Sequence, residues 1–436
     1  MKLTYLSAIL LLASPLVQAN GLDLNLSKAM PAIEKFYLDL HQSPELSYHE
    51  QETGNKIADK LTQLGFKVTS NVGGFGVVGI YKNGNGPTVM IRTDTDGLPI
   101  IEQTGKSYAS KVKVIDEHGA KVGVMHGCGH DIHMSSFIGT AEQLIVHKDQ
   151  WKGTLMMVAQ PAEEVGGGAK AMLGEGLFSK YEKPDHIIAL HVSASVPAGK
   201  ISMKNEYTMA SVDSVDITIK GKGGHGAYPH TTIDPVIIAA RTVLALQTIT
   251  SRELSPLEPS VITVGSIHGG SKHNVISDEV KLQLTLRSYN PNVRSAQIAA
   301  IKRITAGIAQ SAGLNESNYP VVYVHEDESI PSTYNNPAQT DIVRNSIASA
   351  IGDTNVLETQ AVMAGEDFGL YGRTDENIPI TLFWLGGVNQ AQYADSIKTA
   401  EVLPSLHSSK FAPDYKVAIP TGIKAMSNAA VALFNK

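Results

Sequence analysis

The chain has 436 residues, enough for two or three domains at about 150 residues each. Its 42% hydrophobic and 18% charged residues exclude wholesale disorder. The 42 Asp and Glu outnumber the 36 Lys and Arg for a net charge of -6, which leaves no basic excess to hold a phosphate backbone and argues against nucleic acid as a partner, and the single Cys excludes an internal disulfide.

In chain order, Lys2 opens a short positive region, Leu3 to Leu12 is largely apolar, and Val17-Gln18-Ala19 fits a small-x-small cleavage site. Residues 1–19 therefore read as a cleaved secretory signal, with a buried N-terminal helix as the alternative. The product is expected in a periplasm or outside the cell, free of the membrane after cleavage. No other run is expected to reach the roughly 20 apolar residues a membrane span needs. In an oxidising compartment an exposed lone thiol is a liability, so Cys128 is expected to be buried or held by a metal.

A helical pattern over 50–64 ends at Gly65, a buried strand follows over 88–91, and a second helix covers 134–147. Further strands fall at 155–159 and 187–190. The middle of the chain changes character. Residues 215–220 alternate apolar and polar, 235–248 is an Ala-rich helix, 260–264 is a short strand and 279–287 a half-buried one. A helix over 295–312 and a strand over 319–324 complete a β-α-β-β-α-β order, which is that of the ferredoxin-like unit. With a last strand at 380–385, the expected architecture is an α/β domain with a largely parallel sheet, formed by 20–210 and 330–436 around an inserted domain at 211–329.

Several segments carry chemistry. In Val124-Met125-His126-Gly127-Cys128-Gly129-His130-Asp131-Ile132-His133 a thiolate and an imidazole share one Gly-flexed turn, and a thiolate favours zinc over magnesium or calcium. A structural His, or His126 or His133 capping the next helix, is the alternative. The strand 155–159 runs into Glu163-Glu164, a pair that is either a solvated turn or a metal ligand beside a general base. Strand 187–190 ends in His191, and strand 88–91 in Arg92-Thr93-Asp94-Thr95-Asp96, so three strands deliver ligand-type residues to the edge where parallel sheets place their sites. Gly166-Gly167-Gly168 lets backbone approach closely but lacks the Gly-Lys-Ser/Thr ending of a phosphate loop. The segment around Gly223-Gly224-His225 and His230 is either a turn or the source of a His acting in another domain or subunit. Glu366-Asp367 and His407 are further candidates that composition alone does not single out.

The ordered motifs RTDTDGLP, MHGCGHDIH, QPAEE, GKGGHGAYPH, HNVI, GEDF and LHSSKF resemble those of the M20 metallopeptidase family, in the branch of aminoacylases, hippurate hydrolases and auxin-conjugate hydrolases. The resemblance runs from His41 to Phe411. It implies a metallo-exopeptidase-like α/β catalytic domain with an inserted ferredoxin-like α+β lid and dimerisation domain, and a homodimer. It further implies two divalent metal ions, zinc first and manganese, cobalt or nickel as alternatives, held by Cys128, His130, Glu164, His191 and His407. Glu163 corresponds to the general base, Asp96 to an acidic support for the metal-bound His, and His225 to a lid His that polarises the substrate carbonyl, often across a dimer interface. Asn274 and Arg287 resemble carboxylate- or carbonyl-binding lid positions, and Ser277 stands after Ile276 where the family usually has Pro. The expected activity is hydrolysis of N-acyl amino acids without a covalent intermediate. The alternatives are an exopeptidase acting on short peptides, a non-catalytic ligand-binding protein, and Cys128 as a nucleophile.

Overall fold

Eight strands form the sheet of the larger domain, in the order Lys67–Val72, Gly76–Asn83, Gly153–Gln160, Thr88–Asp94, His186–Pro197, Ile380–Val388, Ile201–Met203 and Val356–Glu358. The computed structural model describes residues 22, 24–116 and 119–436, so the predicted signal at 1–19 lies outside the described residues. The central four strands run parallel. Strands buried on both faces read as continuous apolar runs rather than alternating ones, and side chains here leave alternately to two cores. Val89 and Ile91 pack with the helices Met30–Gln42, His130–Val146 and Tyr415–Phe434. Met90 packs on the other face with Met172, Phe368 and Tyr371.

Observed strands are longer than the apolar runs that announce them. The strand expected at 88–91 continues to Asp94, because Arg92, Thr93 and Asp94 are buried polar residues whose side chains find partners inside. The helix expected at 134–147 begins four residues earlier at His130, started by Gly129 in the left-handed region at φ +79°. The expectation of no second apolar stretch of membrane-spanning length is corrected by Tyr415–Phe434, 20 residues and apolar enough by composition. Two-thirds of that stretch is buried within the protein, with Ile419, Ile423 and Leu433 in the core under the sheet.

The inserted domain is a four-stranded antiparallel sheet in the order Ser260–Gly269, Glu279–Ser288, Asp213–Lys220, Val321–Val324. With its two helices, Pro235–Thr248 and Pro291–Ser311, it has the ferredoxin-like arrangement. Val280, Leu282, Leu284 and Leu286 are buried as their alternation requires. Each helix starts with a capping side chain followed by Pro: Asp234 accepts from the Val236 N–H, and Asn290 from the Asn292 N–H. That cap is why the second helix starts at Pro291 rather than at 295.

Candidate metal centre

The turn before helix His130–Val146 fixes two donors at once. A Cβ at Gly129 would run into the Val192 side chain, and its positive φ is one that Gly adopts without strain. The turn thus places Cys128 and His130 against the strand that carries His191. His130 Nδ1 donates to the Asp96 backbone carbonyl at 2.8 Å, with Asp96 Oδ1 at 3.3 Å, so Nε2 is the free nitrogen. Likewise His191 Nδ1 donates to the Val192 carbonyl at 2.8 Å, leaving Nε2 facing Cys128 Sγ at 3.5 Å.

His407 closes the site from far along the chain. Its own N–H donates to the Gly127 carbonyl at 2.9 Å, tying the C-terminal segment to the Cys128 turn. Its φ of +64° is the left-handed conformation, uncommon outside Gly. From there His407 Nε2 reaches Cys128 Sγ at 3.3 Å and Glu164 Oε2 at 3.4 Å. Glu164 Oε1 lies 3.8 Å from His130 Nε2. The five expected ligands, drawn from positions 128 to 407, therefore converge. Cys128, His130 and His191 make one cluster and Cys128, Glu164 and His407 a second, with donor atoms in each within 4.8 Å of one another. Two clusters sharing a sulfur suit a pair of neighbouring cations.

Two divalent ions fit these donors. His130 Nε2 and Glu164 Oε1 are buried without a hydrogen-bond partner, which is costly unless something charged completes them. Burial, then Glu164, Glu163 and Asp94, pushes the Cys128 thiol well above its ordinary value. A thiolate forms there only if a cation offsets those carboxylates. For His130, burial works against the proton but Asp94, Asp96 and Glu164 outweigh it and raise the ring to about 10.

The surrounding groups have assigned places. His133 is neither a helix cap nor a spare ligand, since Nδ1 donates to Asp94 Oδ1 at 2.6 Å and Nε2 accepts from the Val192 N–H at 2.8 Å. Nor does His126 cap the helix: both its ring nitrogens are buried without partners. The Gly run also behaves as expected, since a Cβ at Gly168 would strike the Pro161 carbonyl and one at Gly167 the Tyr48 hydroxyl. Glu163 lies 8% exposed, with its Oε2 3.9 Å from His130 Nε2. Burial first, then Glu366, Glu164 and Asp367, pushes its carboxyl well above the usual carboxylate range.

Sequence reasoning missed the network beneath Glu163. Arg92 donates to Gln160 Oε1 at 2.9 Å, Asp94 Oδ2 at 2.7 Å, Glu366 Oε1 at 2.9 Å and Asp367 Oδ1 at 3.0 Å, all in the interior. The available signal was an Arg directly following an apolar strand run, which the structure takes into the buried strand. Of the lid residues, Arg287 shares a cavity of about 710 Å³ with Cys128, Glu163, Glu164, His191 and His407. His225 and Asn274 are not brought to it within one chain. They lie exposed at the small ribbon where Gly224–His225 pairs with Val275–Ile276. There the Ala227 N–H donates to His225 Nδ1 at 3.0 Å, and Gly226 N–H to the Asn274 carbonyl at 2.9 Å. Ser277 follows that ribbon with its hydroxyl buried and unpartnered.

Known proteins are similar to this chain in sequence and fold. Residues 90–404 match the family description "Peptidase family M20/M25/M40". Thermostable carboxypeptidase 1 of Saccharolobus solfataricus is 37% identical over 401 residues, which is 91% of this chain and 94% of its own. The N-acetyl-L-cysteine deacetylase of Bacillus subtilis is 36% identical over 352 residues, covering 80% of this chain and 78% of its own. A crystal structure of a dinuclear metal-binding M20 peptidase from Bacillus subtilis superposes with a TM-score of 0.76 at 28% identity, covering 94% of this chain and 99% of the other. The chain belongs to peptidase family M20/M25/M40 and is a metal-dependent hydrolase of that family.

Proposed function

We propose that the protein is an exported amidohydrolase that cleaves N-acyl amino acids. The observation that carries this reading is the cavity in which Arg287 accompanies Glu163 and four of the five candidate donors, Cys128, Glu164, His191 and His407. A guanidinium there suits the carboxylate of an amino acid, and Met209, Val212 and Ile330 in the same wall suit an apolar acyl group or side chain. Export rests on the pattern of residues 1–19.

Cys128, His130, Glu164, His191 and His407 would hold two divalent ions, zinc first because of the thiolate. Such ions, when bound, supply acidification of water toward neutrality and polarisation of a carbonyl. Asp96 fixes the His130 ring through Nδ1 and so keeps Nε2 aimed inward. Glu163 accepts the proton of the attacking water on its carboxylate and returns it to the departing amine. Arg287, with Asn274 of a second copy of the chain, binds the substrate carboxylate. His225, free at Nε2, polarises the carbonyl from a second copy of the chain in a homodimer.

A second reading, a carboxypeptidase, is favoured by the similarity to the Saccharolobus solfataricus carboxypeptidase, and Arg287 would accept a peptide C-terminus equally well. A panel of N-acetyl and N-benzoyl amino acids against free-amine dipeptides separates the two. We expect turnover of the acylated amino acids, abolished by chelator and restored by zinc, manganese or cobalt. Turnover confined to free-amine dipeptides overturns the acylase reading, and turnover that survives exhaustive metal removal overturns both.

A further inference from the structure

The chain passes between its two domains at two points that lie side by side, where Val212 and Ile330 exchange backbone hydrogen bonds of 2.9 and 3.0 Å. Beside this double crossing is a cavity of about 350 Å³ that shares no lining residue with the metal centre. Ser211 of the first crossing and Ser329 and Ser332 of the second form part of its wall. Its volume falls in the range of about 300–1,000 Å³ typical of small-ligand sites.

The charge of this wall is unbalanced. Arg294 is more than neutralised, 2.7 Å from both Asp213 and Glu326, which leaves that trio one net negative charge against the two cations Lys170 and Arg373. Lys170 and Arg373 are not paired in this way. Lys170 Nζ donates to the Asp327 backbone carbonyl at 2.8 Å, and Arg373 Nη2 to the Ser332 carbonyl and hydroxyl at 3.1 Å each. Neither meets a carboxylate among the described residues. Both cations are therefore tethered to the second crossing by neutral oxygens, with their charge open to the cavity. Tyr289, from the lid side, and Leu370, from the sheet domain, supply an apolar wall beside them.

We infer that this hinge cavity is a second ligand site, which takes a small organic carboxylate with an apolar body. The carboxylate sits between Lys170 and Arg373, where an ammonium and a guanidinium can each donate a charge-assisted hydrogen bond to it. The apolar body lies against Tyr289 and Leu370. Because the wall draws on both domains, an occupant holds lid and sheet domain together at their joint. The inference is independent of the acylase reading, since it uses none of the metal-centre residues.

The test is calorimetric titration of the metal-loaded full-length protein with benzoate, repeated with Lys170→Ala and Arg373→Ala, and with inorganic phosphate at matched ionic strength. We expect each substitution to weaken benzoate binding by about tenfold or more, and phosphate, which has no apolar body, to bind more weakly than benzoate. Lys170 is exposed, so its variant keeps the fold and the test stands even if Arg373→Ala does not. Unchanged benzoate affinity in the Lys170 variant would place the ligand elsewhere and overturn the inference. So would phosphate binding as tightly as benzoate, which marks a diffuse cationic patch, or no benzoate binding to the wild type.

Discussion

Glu163 and Glu164 are neighbours in sequence with different surroundings. Glu164 faces His407 and His130, whereas Glu163 forms a carboxyl cluster with Glu366 and Asp367. A carboxyl pressed by burial and like charges binds a proton more avidly, which suits a base and not only a ligand. Glu163→Gln keeps the shape but cannot take the proton. We expect a loss of kcat of about 10²–10⁴-fold or more, with metal content by elemental analysis unchanged. A variant that loses its metal would instead make Glu163 a ligand. Arg92 is the cation that makes this crowd of acids tolerable: burial works against its charge, but Glu366, Asp94 and Asp367 outweigh it and hold its pKa well above the ordinary value. Burial likewise pushes Asp94 up, but His130, His133 and Arg92 outweigh it and keep it ionised.

At the scale of elements, the site depends on how helix His130–Val146 begins. Gly129→Ala would force a Cβ into Val192 in a backbone conformation that L residues rarely adopt. We expect a destabilisation of about 1–3 kcal/mol together with weakened metal retention, read by denaturant unfolding and by metal analysis after dialysis. An unchanged metal content would mean that the turn does not set the positions of Cys128 and His130. The same helix start is bound to the end of Met30–Gln42, where His41 Nδ1 donates to Asp131 Oδ2 at 2.6 Å and Nε2 lies 3.2 Å from Glu102. Burial opposes the charge on His41, but hydrogen bonds to Asp131 and Glu102 outweigh it and raise the ring to about 10. A folded pKa above the unfolded one means stability that is full below about 6.5 and is lost as pH rises toward about 10. Thermal unfolding across that window should show the wild type losing stability, by an amount on the order of a few kcal/mol, and His41→Gln losing much less. Parallel curves for the two proteins would remove His41 as the cause.

Much of this was legible in the sequence because the ligands sit in short contiguous motifs, and those of Glu164 and His191 follow apolar runs that form buried parallel strands. Helix Met30–Gln42 was not read from the sequence, although Ile33, Phe36, Tyr37 and Leu40 stand at helical spacing, because no motif marks it. Strand Lys67–Val72 was not, because at the sheet margin only its last residue is buried and no apolar alternation develops. The roles of His133, Arg92 and Glu366 were beyond sequence reading for another reason. Each is defined by a partner between 39 and 275 positions away, His133 by Asp94 and Arg92 by Glu366 and Asp367. Local pattern carries no information about such pairs.

At the scale of the whole molecule, one chain gathers Cys128, Glu163, Glu164, His191, His407 and Arg287 around one cavity but leaves His225 exposed on the lid ribbon. If His225 acts on the substrate carbonyl, it does so in a neighbouring copy, and each active centre is then built from two chains. The proposed closed two-fold dimer is testable by complementation. Glu163→Gln and His225→Ala homodimers should each be nearly inactive, since every centre lacks either its base or its polarising imidazole. In mixed dimers one centre carries both defects, while the other combines an intact Glu163 from one chain with an intact His225 from the other. Unfolding and refolding an equimolar mixture should therefore restore about a quarter of wild-type activity, half the dimers being mixed and half of their centres intact. Refolding each variant alone should restore none. If the mixture stays as inactive as its components while sedimentation shows mixed dimers, His225 serves its own chain or none. If sedimentation shows monomers that retain wild-type turnover, the shared-centre architecture is wrong at its root.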